Sequence, residues 1–126
     1  MLRTYLDCLH SCSKLRRLLA ENPKLPVIVY AGENANTGDY QYLCCSRVEC
    51  SIGEVLDCEL PFGGKEVFYD RGDFEERLAD YLAEQLDGLT DDEFDKALKK
   101  ELKKYSPYWK KVIEVWVDNG GVCNEA

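Results

Sequence analysis

Apolar residues recur at spacings of three and four positions through the start of the chain. The positions that form this stripe are Leu2, Tyr5, Leu6, Leu9, Cys12, Leu15 and Leu19. Such spacing places side chains on one face of a helix, so the pattern predicts an amphipathic helix over Leu2–Ala20. Pro23 and Pro26 follow, and because proline cannot continue the helical hydrogen-bond ladder, the helix should end before them.

Segments rich in β-branched residues predict the strands. Val27–Tyr30 is apolar throughout, which is typical of a central strand buried on both faces, and Val112–Val117 predicts the last strand. Between them, a polar loop precedes two predicted strands, Tyr40–Val48 and Glu54–Leu60. We place a bend at Gly53 between these two strands.

A short fourth strand and two helices complete the pattern. Pro61-Phe62-Gly63-Gly64 predicts a hairpin turn, after which Lys65–Tyr69 should pair back as the fourth strand. Each helix is then marked by an N-cap residue, a capping-box acid three positions later and a stop signal. These residues are Asp73, Glu76 and Gly88 for the first helix, and Thr90, Glu93 and Ser106-Pro107 for the second.

The predicted order of elements is α-β-β-β-β-α-α-β. This order indicates the α+β class, with a mostly antiparallel sheet of about five strands covered by three helices. The chain shows no internal repeat and no linker, so we expect a single domain over residues 1–126.

Charge narrows the class of function. The chain has 126 residues with 24 Asp or Glu against 16 Lys or Arg, a formal net charge of −8. Direct binding of nucleic acid is not expected, because phosphates are contacted by clustered Lys and Arg. The longest apolar run, Val27–Ala31, is far shorter than the ~20 residues of a membrane span, so no membrane partner and a cytoplasmic location are expected.

The acidic residues are concentrated in one segment. Asp73 to Asp95 contains ten acids and one base, a net charge of −9, whereas Lys96 to Lys111 carries +6. Such a run is either a solvated helix face or a surface that meets a basic partner. The candidate partner-binding residues are Asp80, Glu84, Asp87, Asp91, Asp92, Glu93 and Asp95. The candidate aromatic anchors for such a partner are Tyr40, Tyr42, Phe62 and Tyr108, each of which could equally serve ordinary core or turn packing.

Enzyme signatures are sparse in the sequence. Gly63-Gly64 lacks the Lys-Ser/Thr of a phosphate-binding loop, and the chain contains no G-x-S-x-G nucleophile motif. We therefore assign no catalytic residue and expect a protein that is not an enzyme. A small metal-dependent or nucleotide-processing enzyme, or an immunity-type regulatory protein, is the alternative.

The seven cysteines are the main chemical oddity of this sequence. Cys8 and Cys12 would share a face of the opening helix, and with Cys45 and Cys50 they could supply four thiolates to a structural zinc. Cys44 and Cys58 are alternative ligands. Buried reduced thiols or redox chemistry would account for the same residues without a metal.

Four short stretches carry a resemblance to known proteins. They are Glu21-Asn22-Pro23-Lys24-Leu25-Pro26-Val27-Ile28, Ser51-Ile52-Gly53-Glu54-Val55, Val67-Phe68-Tyr69-Asp70 and Trp109-Lys110-Lys111-Val112-Ile113. They resemble small acidic proteins of prophages and mobile elements of Gram-positive bacteria, among them anti-CRISPR proteins. The resemblance implies an inhibitor that binds a basic surface of a type II RNA-guided nuclease and blocks DNA loading. It also implies a bacterial cytoplasmic location, and we expect a monomer or weak homodimer.

Overall fold

The computed structural model describes residues 2–3, 6, 8–36, 38, 40–64 and 67–119. These residues form three α-helices, a short 3-10 helix and three strands, which confirms the predicted α+β class. In chain order the elements are α1 (Ser13–Glu21), β1 (Val27–Ala31), β2 (Arg47–Leu56), α2 (Arg71–Gln85), α3 (Asp91–Tyr105), the 3-10 helix (Ser106–Tyr108) and β3 (Trp109–Asp118).

The chain divides into two compact units. The terminal unit comprises Met1–Gly53 with Val112–Ala126, and the inner unit comprises Glu54–Lys111. β2 and β3 each continue from one unit into the other. That the chain is a single domain over residues 1–126 stays a prediction.

The sheet has the strand order β1-β3-β2 and is mixed. β1 runs parallel to β3, with Val27 opposite Ile113 and Val29 opposite Val115. The prediction of a mostly antiparallel sheet of about five strands is wrong, since the described residues form three strands and one of the pairs is parallel.

β1 is an edge strand, not the predicted central one. Its Val27 and Val29 side chains are 45% and 61% exposed. β3 takes the central place, and residues 112–115 within it are all buried. This apolar segment of five residues is thus an edge, because β3 lies between it and β2.

The predicted second and third strands are replaced by the single strand β2. Residues 40–46 contain no strand, and β2 continues through Gly53 to Leu56. A Cβ at position 53 would lie 2.4 Å from the Glu114 carboxyl carbon, so glycine here permits a close approach of that side chain and makes no bend. Among residues 67–69 there is no strand either, and Lys65 and Glu66 of the predicted fourth strand lie outside the described residues.

The opening helix is shorter than predicted. α1 begins at Ser13, and the described residues before it are not helical. Cys12 precedes it with a left-handed φ of 54°. Leu2 and Leu9 are 95% and 78% exposed, so the first part of the predicted apolar stripe lacks the packing that stabilises short helices.

The helix caps are partly as predicted. Thr90 Oγ1 accepts the Glu93 N–H at 3.2 Å, and the Glu93 carboxylate accepts the Thr90 N–H at 3.4 Å, which confirms the capping box of α3. For α2 the prediction of Asp73 as N-cap is wrong. Asp70 caps this helix instead, because its carboxylate accepts the N–H groups of both Gly72 and Asp73, at 2.8 and 3.2 Å.

Each unit has its own apolar core. In the terminal unit, α1 packs on the sheet through the buried residues Leu18, Cys50, Ile113 and Val115. In the inner unit, α2 packs through the buried residues Leu56, Phe68, Phe74, Leu78 and Leu82. Among the described residues, no helix is both long enough and apolar enough to cross a membrane.

Candidate partner-binding surface

α2 and α3 carry the acidic segment and pack against one another within the inner unit. Their apolar faces are held by the inner core, with Phe74, Leu78 and Leu82 of α2 buried and Phe94 and Leu98 of α3 partly buried against them. Because these faces point inward, the helices must present their polar side chains to solvent. The acidic residues of the segment therefore lie on the outer side of a packed helix pair.

All seven predicted partner-binding residues are exposed. They are Asp80, Glu84, Asp87, Asp91, Asp92, Glu93 and Asp95. None of them forms an ion pair in the part of the chain that the structure describes. Because these carboxylates are solvated and unpaired with bases, a partner could neutralise them without first breaking an internal pair.

Glu93 has a local role that distinguishes it from the other six. Its carboxylate accepts hydrogen bonds from the Thr90 N–H and the Thr90 hydroxyl, the latter at 3.0 Å. Asp91 and Asp92 lie in the same first turn, where negative charge complements the helix dipole. Asp80, Glu84 and Asp95 lie outside this turn, so their charge contributes little to the start of α3.

A cleft on the outer face of α2 joins two of these acids to aromatic rings. Its volume is about 390 Å³, and its lining residues are Pro61, Phe62, Arg77, Asp80, Tyr81 and Glu84. The rings of Phe62 and Tyr81 lie 5.9 Å apart between centroids, and the Arg77 guanidinium lies 5.1 Å from the Phe62 centroid. With two carboxylates against one guanidinium, the cleft keeps a net negative charge.

The cleft is also lined by Pro61, Arg77 and Tyr81, none of which is among the predicted partner-binding residues. The α2 residues Arg77, Asp80, Tyr81 and Glu84 are spaced so that they share one helical face, a signal that was available from the sequence. The approach of Phe62 to that face depends on the tertiary fold. Of the four predicted anchors, Phe62 alone lines this cleft.

The remaining predicted anchors are solvent-exposed. Tyr108 is 48% exposed and lies in the inner unit, where it lines a different cavity with Asp57 and Cys58. Tyr40 and Tyr42 are 62% and 81% exposed and lie in the terminal unit. Their exposure is compatible with contact to a partner, and is also common for single aromatic residues at protein surfaces.

Two other carboxylates of the inner unit, Glu54 and Asp57, form ion pairs. The Arg71 guanidinium donates to both Glu54 oxygens at 2.6 and 3.0 Å and lies 5.0 Å from the Trp109 ring centroid. This hydrogen-bonded pair lowers the pKa of Glu54. Lys110 likewise donates to Asp57 at 2.5 Å. Glu54 and Asp57 thus have basic partners, which the seven candidate residues lack within the described part of the chain.

The predicted zinc ligands do not have the geometry that their spacing suggested. Cys8 and Cys12 lie outside α1, so the shared helical face expected for them is wrong. Cys45, Cys50 and the alternative Cys44 belong to the same terminal unit, whereas the alternative Cys58 belongs to the inner unit. Among the described residues, no group of three or more His, Cys, Asp or Glu side chains is placed to hold a metal ion.

Cys50 fits a packing role better than a ligand role. Its side chain is 4% exposed and belongs to the core formed with Leu18, Ile113 and Val115. Burial raises the pKa of the Cys50 thiol, opposed by the positive charge of Lys14. Since zinc binds the thiolate, an environment that favours the neutral thiol disfavours metal binding. Zinc stays a prediction for elemental analysis to test.

We expect Cys50→Ser to lower the free energy of unfolding by about 1–3 kcal/mol, because it places a hydroxyl in an apolar core. Cys44→Ser, at an exposed position, is the matched control and should change it by less than about 0.5 kcal/mol. Urea unfolding gives both values, and elemental analysis of the two variants gives the metal content. Stoichiometric zinc that is lost in Cys50→Ser alone would contradict the packing role.

Glu114 is the one buried charged side chain among the described residues, at 8% exposed. Burial raises its carboxyl pKa, and a hydrogen bond with Trp116 opposes this effect. The ring of Trp116 also stacks on Tyr30, with centroids 4.3 Å apart. The Glu114 carboxyl lies over Gly53 and away from solvent, so it is unsuited to bind a partner. Its contacts lie within the interior of the terminal unit.

Comparison of the chain with protein-family models, with curated proteins and with solved structures finds no match in any of the three.

Proposed function

We propose that this protein is a binding module, not an enzyme, and that the outer surface of α2 and α3 docks on a basic surface of another protein. The observation that carries the proposal is the set of exposed carboxylates on these helices that have no ion-pair partner within the described residues. Neighbouring acids such as Glu54 and Asp57 do have basic partners.

The aromatic cleft on α2 supports the same proposal. Charge pairs at the rim of an interface raise the association rate and orient the partners, whereas buried aromatic side chains supply most of the affinity. Phe62 and Tyr81 provide such rings beside Asp80 and Glu84. A lysine or arginine of the partner could place its alkyl stem on the rings and its charge at the carboxylates.

The partner we propose is a type II RNA-guided nuclease. Such an enzyme holds nucleic acid in a positively charged channel, and an acidic protein seated there would exclude DNA. Binding of phosphate in that channel depends strongly on salt, and binding of an acidic inhibitor should do so too. A basic regulatory or toxic protein of the same cell would present a similar positively charged surface. The experiment therefore measures inhibition of the nuclease itself.

The test combines neutralising substitutions with a cleavage assay. The variant Asp80→Asn, Glu84→Gln, Asp95→Asn removes three charges of the surface and leaves the first turn of α3 intact. We expect it to bind the nuclease about tenfold more weakly, since each rim charge contributes about 0.5 kcal/mol. The matched control Glu21→Gln, Glu33→Gln, Glu59→Gln removes the same charge from exposed positions elsewhere and should bind as the original protein does.

The protein is added to purified type II nucleases before or after DNA, and cleavage is measured over a range of salt concentrations. Inhibition that requires addition before DNA and weakens with salt supports the proposal. Absence of inhibition across several such nucleases overturns the choice of partner. Equal inhibition by the surface variant and the control overturns the surface itself.

A further inference from the structure

β1 presents an open hydrogen-bonding edge. The sheet order β1-β3-β2 leaves one side of β1 without a neighbouring strand in the described chain. Val27 and Val29 on this strand are 45% and 61% exposed, and none of its five residues is charged. Natural sheets commonly protect such an edge with a charge, a bulge or a cover, because it can pair with another strand.

The hydrogen bonds at both ends of β1 show which residues face outward. The Pro26 carbonyl accepts the Ile113 N–H at 2.9 Å, and the Gly32 N–H donates to the Val117 carbonyl at 2.8 Å. Because backbone groups alternate in direction along a parallel strand, the even-numbered residues between them bond toward β3. The N–H and C=O groups of Val27, Val29 and Ala31 therefore point away from the sheet.

We propose that a second copy of this chain pairs with that edge, β1 to β1 in antiparallel orientation, to form a homodimer with a continuous six-stranded sheet. The pairing is centred on Val29, which lies opposite Val29 of the other copy. Val27 then lies opposite Ala31 and Ala31 opposite Val27, so every outward backbone group finds a partner. A two-fold symmetric interface requires this reciprocity, in which residue i of one copy contacts residue j of the other and residue j contacts residue i.

Charge favours a second copy as the occupant. The terminal unit has six Lys or Arg against eight Asp or Glu, a net charge of −2, whereas the inner unit carries ten against sixteen, a net charge of −6. Two terminal units therefore meet with little repulsion. The antiparallel orientation also brings the end of β1 that carries exposed Lys24 beside the end of the other β1 that carries exposed Glu33.

The proposal is independent of the partner-binding surface, which belongs to the inner unit. Sedimentation velocity on the full chain, over about a hundredfold range of concentration, should show a monomer–dimer equilibrium. Val29→Lys and Val29→Glu each place like charges side by side at the two-fold axis, and each alone should remain monomeric. Their equimolar mixture should dimerise again, because the two charges then attract.

Val29→Thr is the matched control, since it keeps a neutral β-branched side chain and should dimerise as the original does. Hydrogen exchange adds a local readout, because the N–H groups of Val27, Val29 and Ala31 should exchange more slowly in the dimer than in Val29→Lys. A chain that stays monomeric at every concentration overturns the proposal. A dimer that persists in Val29→Lys, or a mixture of the two charged variants that stays monomeric, overturns it as well.

Discussion

Replacing Phe74 with alanine is expected to lower the free energy of unfolding by about 3–5 kcal/mol. Phe74 is 1% exposed and lies at the centre of the inner core. Its ring centroid lies 5.4 Å from Phe68, 5.2 Å from Tyr105 and 6.0 Å from Trp109, all in edge-to-face geometry. Removal of this ring leaves a cavity. The three neighbouring aromatic side chains cannot fill it without losing their present contacts.

Such a loss is a large part of the 5–15 kcal/mol that is usual for a folded domain. Chemical denaturation followed by tryptophan fluorescence measures it, since Trp109 lies in contact with Phe74. Phe74→Leu is the conservative control, because it fills part of the cavity with apolar volume and should lower the free energy of unfolding by less than Phe74→Ala does. If alanine and leucine at this position give the same unfolding midpoint, Phe74 is not the centre of the core.

Local signals allowed much of the helical part of the fold to be predicted. The capping box of α3 lies within four residues, Thr90 to Glu93, so its geometry depends little on the rest of the chain. The start of α2 was misplaced by one turn because the region offers two aspartates, Asp70 and Asp73. The one that precedes the helix has the extended backbone that an N-cap requires.

The strands were harder to predict because their burial depends on distant parts of the chain. Val27–Tyr30 has the apolar composition of a central strand, yet the structure places it at the edge, since β3 lies between it and β2. The sequence predicts a bend at Gly53, whereas in the structure this glycine admits the side chain of Glu114, a residue 61 positions away. Neither arrangement is encoded in local periodicity.

The candidate surface was predicted in its charge but not in its shape. Exposure of the six acids that lie within α2 and α3 follows from the amphipathic pattern of these helices, because their opposite faces are apolar. Asp87 lies between the two helices. The cleft depends on Phe62, which comes from a turn and reaches α2 through the tertiary fold. The cysteine prediction depended on a helix over Leu2–Ala20, and it lost its geometric basis because that helix begins only at Ser13.

Replacement of Val115 by aspartate is expected to unfold the terminal unit. Val115 is 6% exposed on the central strand and packs in the core with Leu18, Cys50 and Ile113. A carboxylate placed there without a partner costs about 3–5 kcal/mol, in addition to the lost apolar contacts. The decrease in the free energy of unfolding should be smaller in mildly acidic buffer than at neutral pH. Burial raises the pKa of the introduced carboxyl. The folded core tolerates the neutral, protonated form, and this form is lost as the pH rises through that raised pKa.

The register of the sheet supplies a matched control for this substitution. Val29 lies directly opposite Val115 on the neighbouring strand, yet it is 61% exposed. Val29→Asp therefore introduces the same side chain on the same pair of strands, at a position where the carboxylate stays in water. Measured by circular dichroism during heating, at concentrations too low for dimers, Val29→Asp should melt close to the original protein and Val115→Asp far below it. Equal melting temperatures for the two variants would mean that β3 is not the buried centre of the sheet.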